Sequence, residues 1–134
     1  MSPKQLNILI CEALGWTIAA HVAETDKIHA DMCWIAPGDE EWHAKQLPNH
    51  VEGKEAFWYI HQAEKRLLKD FDAWNNYLMW LYKLVQDPHI CSLSHTIAYV
   101  CANSLERAAA LALVLHLIDQ DQAIELIETQ LSVD

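Results

Sequence analysis

The chain has 134 residues, of which 52% are apolar, and its 19 acidic and 9 basic residues give a formal charge of −10. This length predicts a single domain over residues 1–134, large enough to build a core without disulfides or metals. Nucleic acids and anionic membranes carry the same sign of charge, so the acidic balance argues against direct binding to either. No uncharged apolar run reaches 18 residues and no signal-peptide pattern opens the chain, which predicts a cytoplasmic protein.

The first third of the chain predicts a helix followed by a β-hairpin. Ser2 can cap a helix that has Pro3 at its first position and ends before Gly15. Apolar and polar residues then alternate over 16–22 and again over 28–34, with a polar turn between the two segments. This pattern is typical of two paired strands. Residues 37–49 follow as the longest predicted loop.

The middle of the chain is predicted to hold two helices. Asn49 and Glu52 have capping-box spacing, which predicts a helix that begins near residue 50. Two apolar stripes run in phase from there to about residue 86, and a single helix of that length would measure roughly 55 Å. Because a compact domain of this size has a radius of gyration of roughly 14 Å, we predict a break near Asp70, with Asp72 as the cap of the second helix.

The last third is predicted to contain a strand and two helices. Residues 95–101 are rich in strand formers, and Asn103 and Glu106 repeat the capping-box spacing before a strongly apolar helix that reaches residue 118. An acidic amphipathic helix over 120–132 ends the domain. The element order predicts an α+β fold in which a small three-stranded antiparallel sheet is covered by helices.

Three segments that span most of the chain carry a family resemblance. They are Ala13-Leu14-Gly15-Trp16 after the first helix, Leu47-Pro48-Asn49 before a helix with His61-Gln62-Ala63-Glu64-Lys65-Arg66-Leu67, and Val100-Cys101-Ala102-Asn103-Ser104-Leu105-Glu106-Arg107-Ala108. Together they resemble the phage ABA sandwich domain, a family of small phage proteins, although this chain continues about 17 residues past Leu117. The resemblance implies an α/β/α sandwich, a phage or prophage origin and a bacterial host cytoplasm. It implies no activity, so no functional residues transfer.

Catalytic signatures are missing from the sequence. It has three glycines and neither a P-loop nor a dinucleotide fingerprint, and it lacks the hydrolase, zincin and zinc-deaminase motifs. We therefore predict no cofactor. A small metal-dependent enzyme remains an alternative on two grounds. His61 and Glu64, one helical turn apart, could act as an acid–base pair or as metal ligands. His89, Cys91 and His95 could hold zinc, although the spacing of these three residues matches no known zinc motif.

The six tryptophans divide into three that fall on predicted apolar faces and three that do not. We assign the first three to the core: Trp16, Trp34 and Trp74. The other three lie outside such faces. Trp42 is in a polar loop, Trp58 is on the polar side of its predicted helix, and Trp80 lies away from the apolar stripe of its predicted helix. Exposed tryptophans are enriched at interface hot spots, so these three are candidates for partner binding.

Five of the 19 acidic residues lie beyond Arg107, where no lysine or arginine occurs, so this segment carries half of the net charge of −10. Asp121, Glu125 and Glu128 fall on one helical stripe, which is either a solvated face or a patch that docks on a basic surface. Our leading hypothesis is a phage or prophage accessory protein that binds a host protein with a basic surface; inhibition of a host defence protein is one form of it. Besides the enzyme, a structural homodimer through the apolar last helices remains open.

Overall fold

Helices dominate the fold. The computed structural model describes residues 1–85 and 95–133, with side chains except at 95–97 and 131–133, and most of these residues are helical. The helices are α1 (Pro3–Ala13), α2 (Ala56–Leu67), α3 (Phe71–Leu84), α4 (His95–Cys101), α5 (Ser104–Val114) and α6 (Gln120–Val133). Two short strands, β1 (Thr17–Ile18) and β2 (Trp34–Ile35), and the 3₁₀ helices Glu24–His29 and Glu41–His43 complete the described elements.

The predicted three-stranded sheet is wrong, and so is the α/β/α sandwich. The sheet in the described residues consists of β1 and β2 alone, antiparallel, with Thr17 opposite Ile35. Between them the chain forms a 3₁₀ helix, which is tied to α1 because the Lys27 ammonium donates to Glu12 at 2.7 Å. Alternation along a short segment does not supply a neighbouring strand, and here it does not predict burial either, since Ala19 is buried whereas Ala20 and Met32 are exposed.

The segment 95–101, predicted as the third strand, is helix α4. It packs on α3, its Ala98 is fully buried, and the Ala102 amide donates to the Ala98 carbonyl at 2.9 Å. The ring of Tyr99 lies edge-on to Trp74 of α3, 5.3 Å away. Because no described strand lies beside this segment, a helix is the conformation that satisfies its backbone groups.

Helix α5 forms the centre of the core and contacts α1, α2, α3 and α6. Its alanines are small enough to let these helices approach closely, and residues 108–112 have no solvent exposure. The predicted capping box is confirmed, since Asn103 accepts from the Glu106 amide and Glu106 accepts from the Asn103 amide, at 2.8 and 2.9 Å. The helix ends at Val114 instead of continuing to residue 118, and His116 then adopts a positive φ of 60°.

The predicted break between the middle helices is confirmed, but the cap is Asp70 and not Asp72. The Asp70 carboxylate accepts from the Ala73 amide at 2.7 Å. The predicted helix start near residue 50 is wrong, because α2 begins at Ala56. The Asn49 side chain accepts from the amides of two following residues, at 3.0 and 2.9 Å, which makes a turn that competes with the helix cap.

Candidate functional site

A buried polar cluster joins α1 to the loop that precedes α2. Asn7 and Cys11 lie one turn apart on α1, and both reach His50. The His50 Nδ1 atom lies 3.0 Å from Asn7 Oδ1 and 3.6 Å from Cys11 Sγ. The Asn7 side chain also donates to the Pro48 carbonyl at 3.0 Å. A thiol, an imidazole and an amide in contact are the residue types of a nucleophilic site, so their protonation decides what the cluster can do.

The hydrogen bonds of Asn7 fix the protonation of His50. Asn7 Nδ2 donates to Pro48, and Asn7 Oδ1 accepts from the His50 amide at 2.8 Å, so Oδ1 also faces the ring as an acceptor. His50 Nδ1 therefore carries a proton and cannot take the proton of Cys11. Burial raises the pKa of the Cys11 thiol to about 12 and lowers that of His50 to about 4. Both groups are neutral at pH 7, and the cluster holds the loop against α1 without activating a nucleophile.

The second buried cluster contains Glu64, one member of the predicted acid–base pair. The Arg107 guanidinium lies 3.1 Å from Glu64 and stacks between two rings, with its central carbon 4.6 Å from Phe57 and 4.2 Å from Tyr99. It also donates to the Tyr99 carbonyl at 2.6 Å. Burial raises the pKa of Glu64, and the neighbouring Tyr77 hydroxyl and the Arg107 cation oppose that rise. His61 lies 3.7 Å away and is partly exposed.

This ion pair therefore fastens α2 to α4 and α5. Because the Glu64 side chain is only 2% exposed and already bound to Arg107, it offers no accessible carboxylate for proton transfer or metal binding. Tyr77 lies beside Glu64, and its buried hydroxyl has no hydrogen bond of ordinary geometry with the described residues. The structure thus brings His61 and Glu64 together, as the sequence predicted, but in a structural ion-pair network.

The other proposed metal site falls largely outside what the structure describes. His89, Cys91 and the side chain of His95 are not among the described residues. Within residues 1–85 and 95–133, no group of three or more histidine, cysteine, aspartate or glutamate side chains is arranged to hold a metal ion.

The tryptophans follow the predicted division in part. Trp34 is 1% exposed, whereas Trp16 and Trp74 are only half-buried. Two of the three interface candidates are open to solvent: Trp42 at 79% and Trp58 at 60% exposure. Trp80 is half-buried against the core, and the Lys83 ammonium lies 4.9 Å from its ring. No ring contact joins any two of these three candidates in the described part of the chain, so they do not form one aromatic patch.

The acidic stripe of α6 is exposed, as its spacing predicted. We call Asp121, Glu125 and Glu128 the acidic face; all three carboxylates face solvent and none has an ion-pair partner among the described residues. A groove of about 530 Å³ opens where the chain enters α6. Its lining, which we call the Trp80 groove, includes Trp80, Leu113, Leu117, Ile118, Asp119 and Gln122. The structure therefore places one candidate tryptophan at the end of the acidic helix.

Phe57 is an exposed residue that the sequence reasoning missed. It lies next to Trp58 on α2 and is 52% exposed, although one edge covers Arg107. Its place beside Trp58 on the polar side of an amphipathic helix was the available signal. The cluster of Cys11 and His50 gave no such signal, because these residues are 39 positions apart in the sequence.

Comparisons with known proteins identify no relative. No protein-family model matches the chain, and no curated protein or solved structure shows significant similarity to it. The resemblance to small phage proteins remains a prediction, and the sandwich fold that it implied is not the fold observed. Among the described helices, none is both long enough and apolar enough to cross a membrane.

Proposed function

We propose that this protein acts by binding a partner protein with a basic surface, through the acidic face of α6 and the Trp80 groove beside it. The observation that carries the proposal is that three exposed carboxylates, without ion-pair partners among the described residues, lie on the helix whose first turn borders the Trp80 groove. Protein interfaces combine an apolar pocket that holds an anchoring side chain with charged groups that orient the partner. Here the groove would take the anchor and the acidic face would steer the approach.

The long-range electrostatics of the chain favour such a partner. A formal charge of −10 attracts basic surfaces, and half of that charge lies beyond Arg107. Steering of this kind raises association rates and weakens as salt screens the charges. The choice of a host protein as partner, and of inhibition of a host defence protein as the outcome, follows only from the resemblance to small phage proteins.

The state of the two buried clusters favours binding over the metal-dependent enzyme. Cys11 and His50 are both neutral, and Glu64 is bound to Arg107, so neither cluster presents a reactive group to solvent. The exposed residues of α6 and of the aromatic candidates supply carboxylates and aromatic rings. These are groups suited to recognition rather than to bond making.

A pull-down with matched charge variants tests the proposal. The test variant neutralises the acidic face (Asp121→Asn, Glu125→Gln, Glu128→Gln), and the control neutralises three exposed acids elsewhere (Asp26→Asn, Glu40→Gln, Glu55→Gln). Bacterial lysate is passed over wild type and both variants, and bound proteins are identified by mass spectrometry. We expect a basic protein that wild type and control retain and the test variant loses. Equal retention by all three would refute a role for the acidic face.

A further inference from the structure

The cations of this protein are divided sharply between paired and unpaired ones. Four of the nine form ion pairs, and Lys83 lies over the ring of Trp80. The remaining four have no acidic partner in residues 1–85 or 95–133, and all of them lie in or beside α2: Lys54, Lys65, Arg66 and Lys69. The unpaired positive charge of the described chain is therefore concentrated on α2 and the residues that flank it.

The same helix carries the exposed aromatic rings of Phe57 and Trp58. Trp58 and Lys65 are seven residues apart, so they lie on one stripe of α2, while Phe57 borders it. We call Lys65, Arg66 and Lys69 the basic face. Large exposed rings beside unpaired cations mark a contact surface, because burying the rings provides stability and the cations select an acidic partner.

The acidic face of α6 has the complementary properties. Its carboxylates are as free of internal partners as the cations of the basic face. Asp121 and Glu128 are seven residues apart, which is the separation of Trp58 and Lys65, and corresponds to about 10 Å along a helix axis. An α6 helix laid along α2 could therefore place one carboxylate beside Lys65 or Arg66 and another beside the exposed ring of Trp58.

We infer that the basic face of α2 binds the acidic face of α6 on a second copy of this chain. Each copy offers both surfaces, so every contact can be made twice in a pair of molecules. The inference goes beyond the proposed function because it assigns α2 a role, but it uses the same α6 residues. A second copy and a basic partner would therefore compete for the acidic face.

The inference makes a specific prediction about salt. Two molecules of charge −10 repel each other at low ionic strength. At physiological salt the Debye length is about 8 Å, so salt screens this long-range repulsion more than it screens ion pairs in direct contact. Self-association should therefore be strongest at intermediate salt and weaken again at high salt. Single exposed ion pairs contribute little, so we expect a weak complex that forms at high protein concentration.

Light scattering with charge-reversed variants tests the inference. Lys65→Glu with Arg66→Glu reverses the basic face, and Asp121→Lys with Glu125→Lys reverses the acidic face. We expect each double variant to raise the dissociation constant of the wild-type complex at least tenfold. An equimolar mixture of the two should associate again, because each contact then joins opposite charges. The control Lys4→Glu with Lys45→Glu changes two exposed lysines elsewhere and should leave association near the wild-type level.

Several results would overturn the inference. A wild-type mass of one chain at every salt concentration would do so, as would failure of the mixture to associate while both variants remain folded by circular dichroism. Binding of a labelled oligonucleotide to α2 without self-association would replace the second copy by nucleic acid. The outcome is separable from the proposed function: the reversed basic face should weaken self-association at least tenfold while it leaves partner capture intact.

Discussion

Acid should destabilise this protein through His50. The ring is buried and neutral in the folded state, where burial lowers its pKa from 6.5 to about 4. An unfolded chain has no such burial, so below pH 6.5 its histidine binds a proton that the folded protein does not. The stability that depends on the neutral ring is fully present above pH 6.5 and is lost as the pH falls towards 4.

The size of this effect follows from the two pKa values. A difference of about 2.5 units, at about 1.4 kcal/mol per unit, gives about 3 kcal/mol of unfolding free energy lost between pH 6.5 and pH 4. Domains of this kind are stable by about 5–15 kcal/mol, so the loss should be easy to measure. The raised pKa of Glu64 acts in the opposite direction, because protonation of a buried carboxylate favours the folded state.

Urea denaturation at pH 7, 6, 5 and 4.5 measures the effect. His50→Gln keeps a side-chain donor for Asn7 but does not titrate, and His29→Gln changes an exposed histidine as the control. Wild type and control should lose about 2–3 kcal/mol more than His50→Gln between pH 7 and pH 4.5, even though His50→Gln starts from a lower stability. The same pH dependence in all three proteins would refute the assignment of a buried, neutral His50.

Three further predictions concern other described features. Arg107→Met should lower the unfolding free energy by roughly 3–5 kcal/mol in denaturant titration, because it leaves a buried carboxylate without its partner. Asp70→Ala should cost about 1 kcal/mol by the same measurement, whereas Asp72→Ala, which removes no cap, should cost only a few tenths. In native protein treated with a thiol reagent, Cys101→Ser should remove a fast-reacting thiol, whereas Cys11→Ser should leave the fast phase unchanged. A larger loss for Asp72→Ala than for Asp70→Ala, or rapid labelling of Cys11, would contradict these assignments.

Local signals predicted the starts of α1 and α5. The first helix has the predicted Ser2 cap and Pro3 start, and Asn103 forms its predicted capping box, because such caps involve residues only three apart. The need for a break between the middle helices was inferred from length and its place from the aspartates beside Phe71, and the break is confirmed. The exact cap was missed because two aspartates flank Phe71 and the sequence does not show which of them precedes the first helical residue.

The sheet could not be predicted because strand propensity depends on a neighbour. The β-branched residues of segment 95–101 fit a pleated surface, yet packing on α3 selects a helix there. The buried clusters were hidden for a similar reason. His50 meets Cys11, and Arg107 meets Glu64, across 39 and 43 positions, and no local pattern reports such contacts.

The part of the proposed binding surface that lies on a single helix, the acidic face of α6, could be predicted from the sequence. The spacing of Asp121, Glu125 and Glu128 was sufficient to place them on one exposed stripe. The position of Trp80 at the start of α6 required the tertiary structure, because α3 and the α5–α6 connection meet only in the folded chain. The concentration of unpaired cations on α2 likewise became visible only when the other cations had been assigned partners.

The most direct test of the central claim is the affinity of the captured partner for the acidic-face variant, measured with purified proteins at two salt concentrations. We predict that neutralising Asp121, Glu125 and Glu128 weakens binding at least tenfold at low salt and flattens the salt dependence. The control at Asp26, Glu40 and Glu55 should bind like wild type. Equal weakening in both variants would show that net charge alone matters, and unchanged affinity in the acidic-face variant would contradict the account.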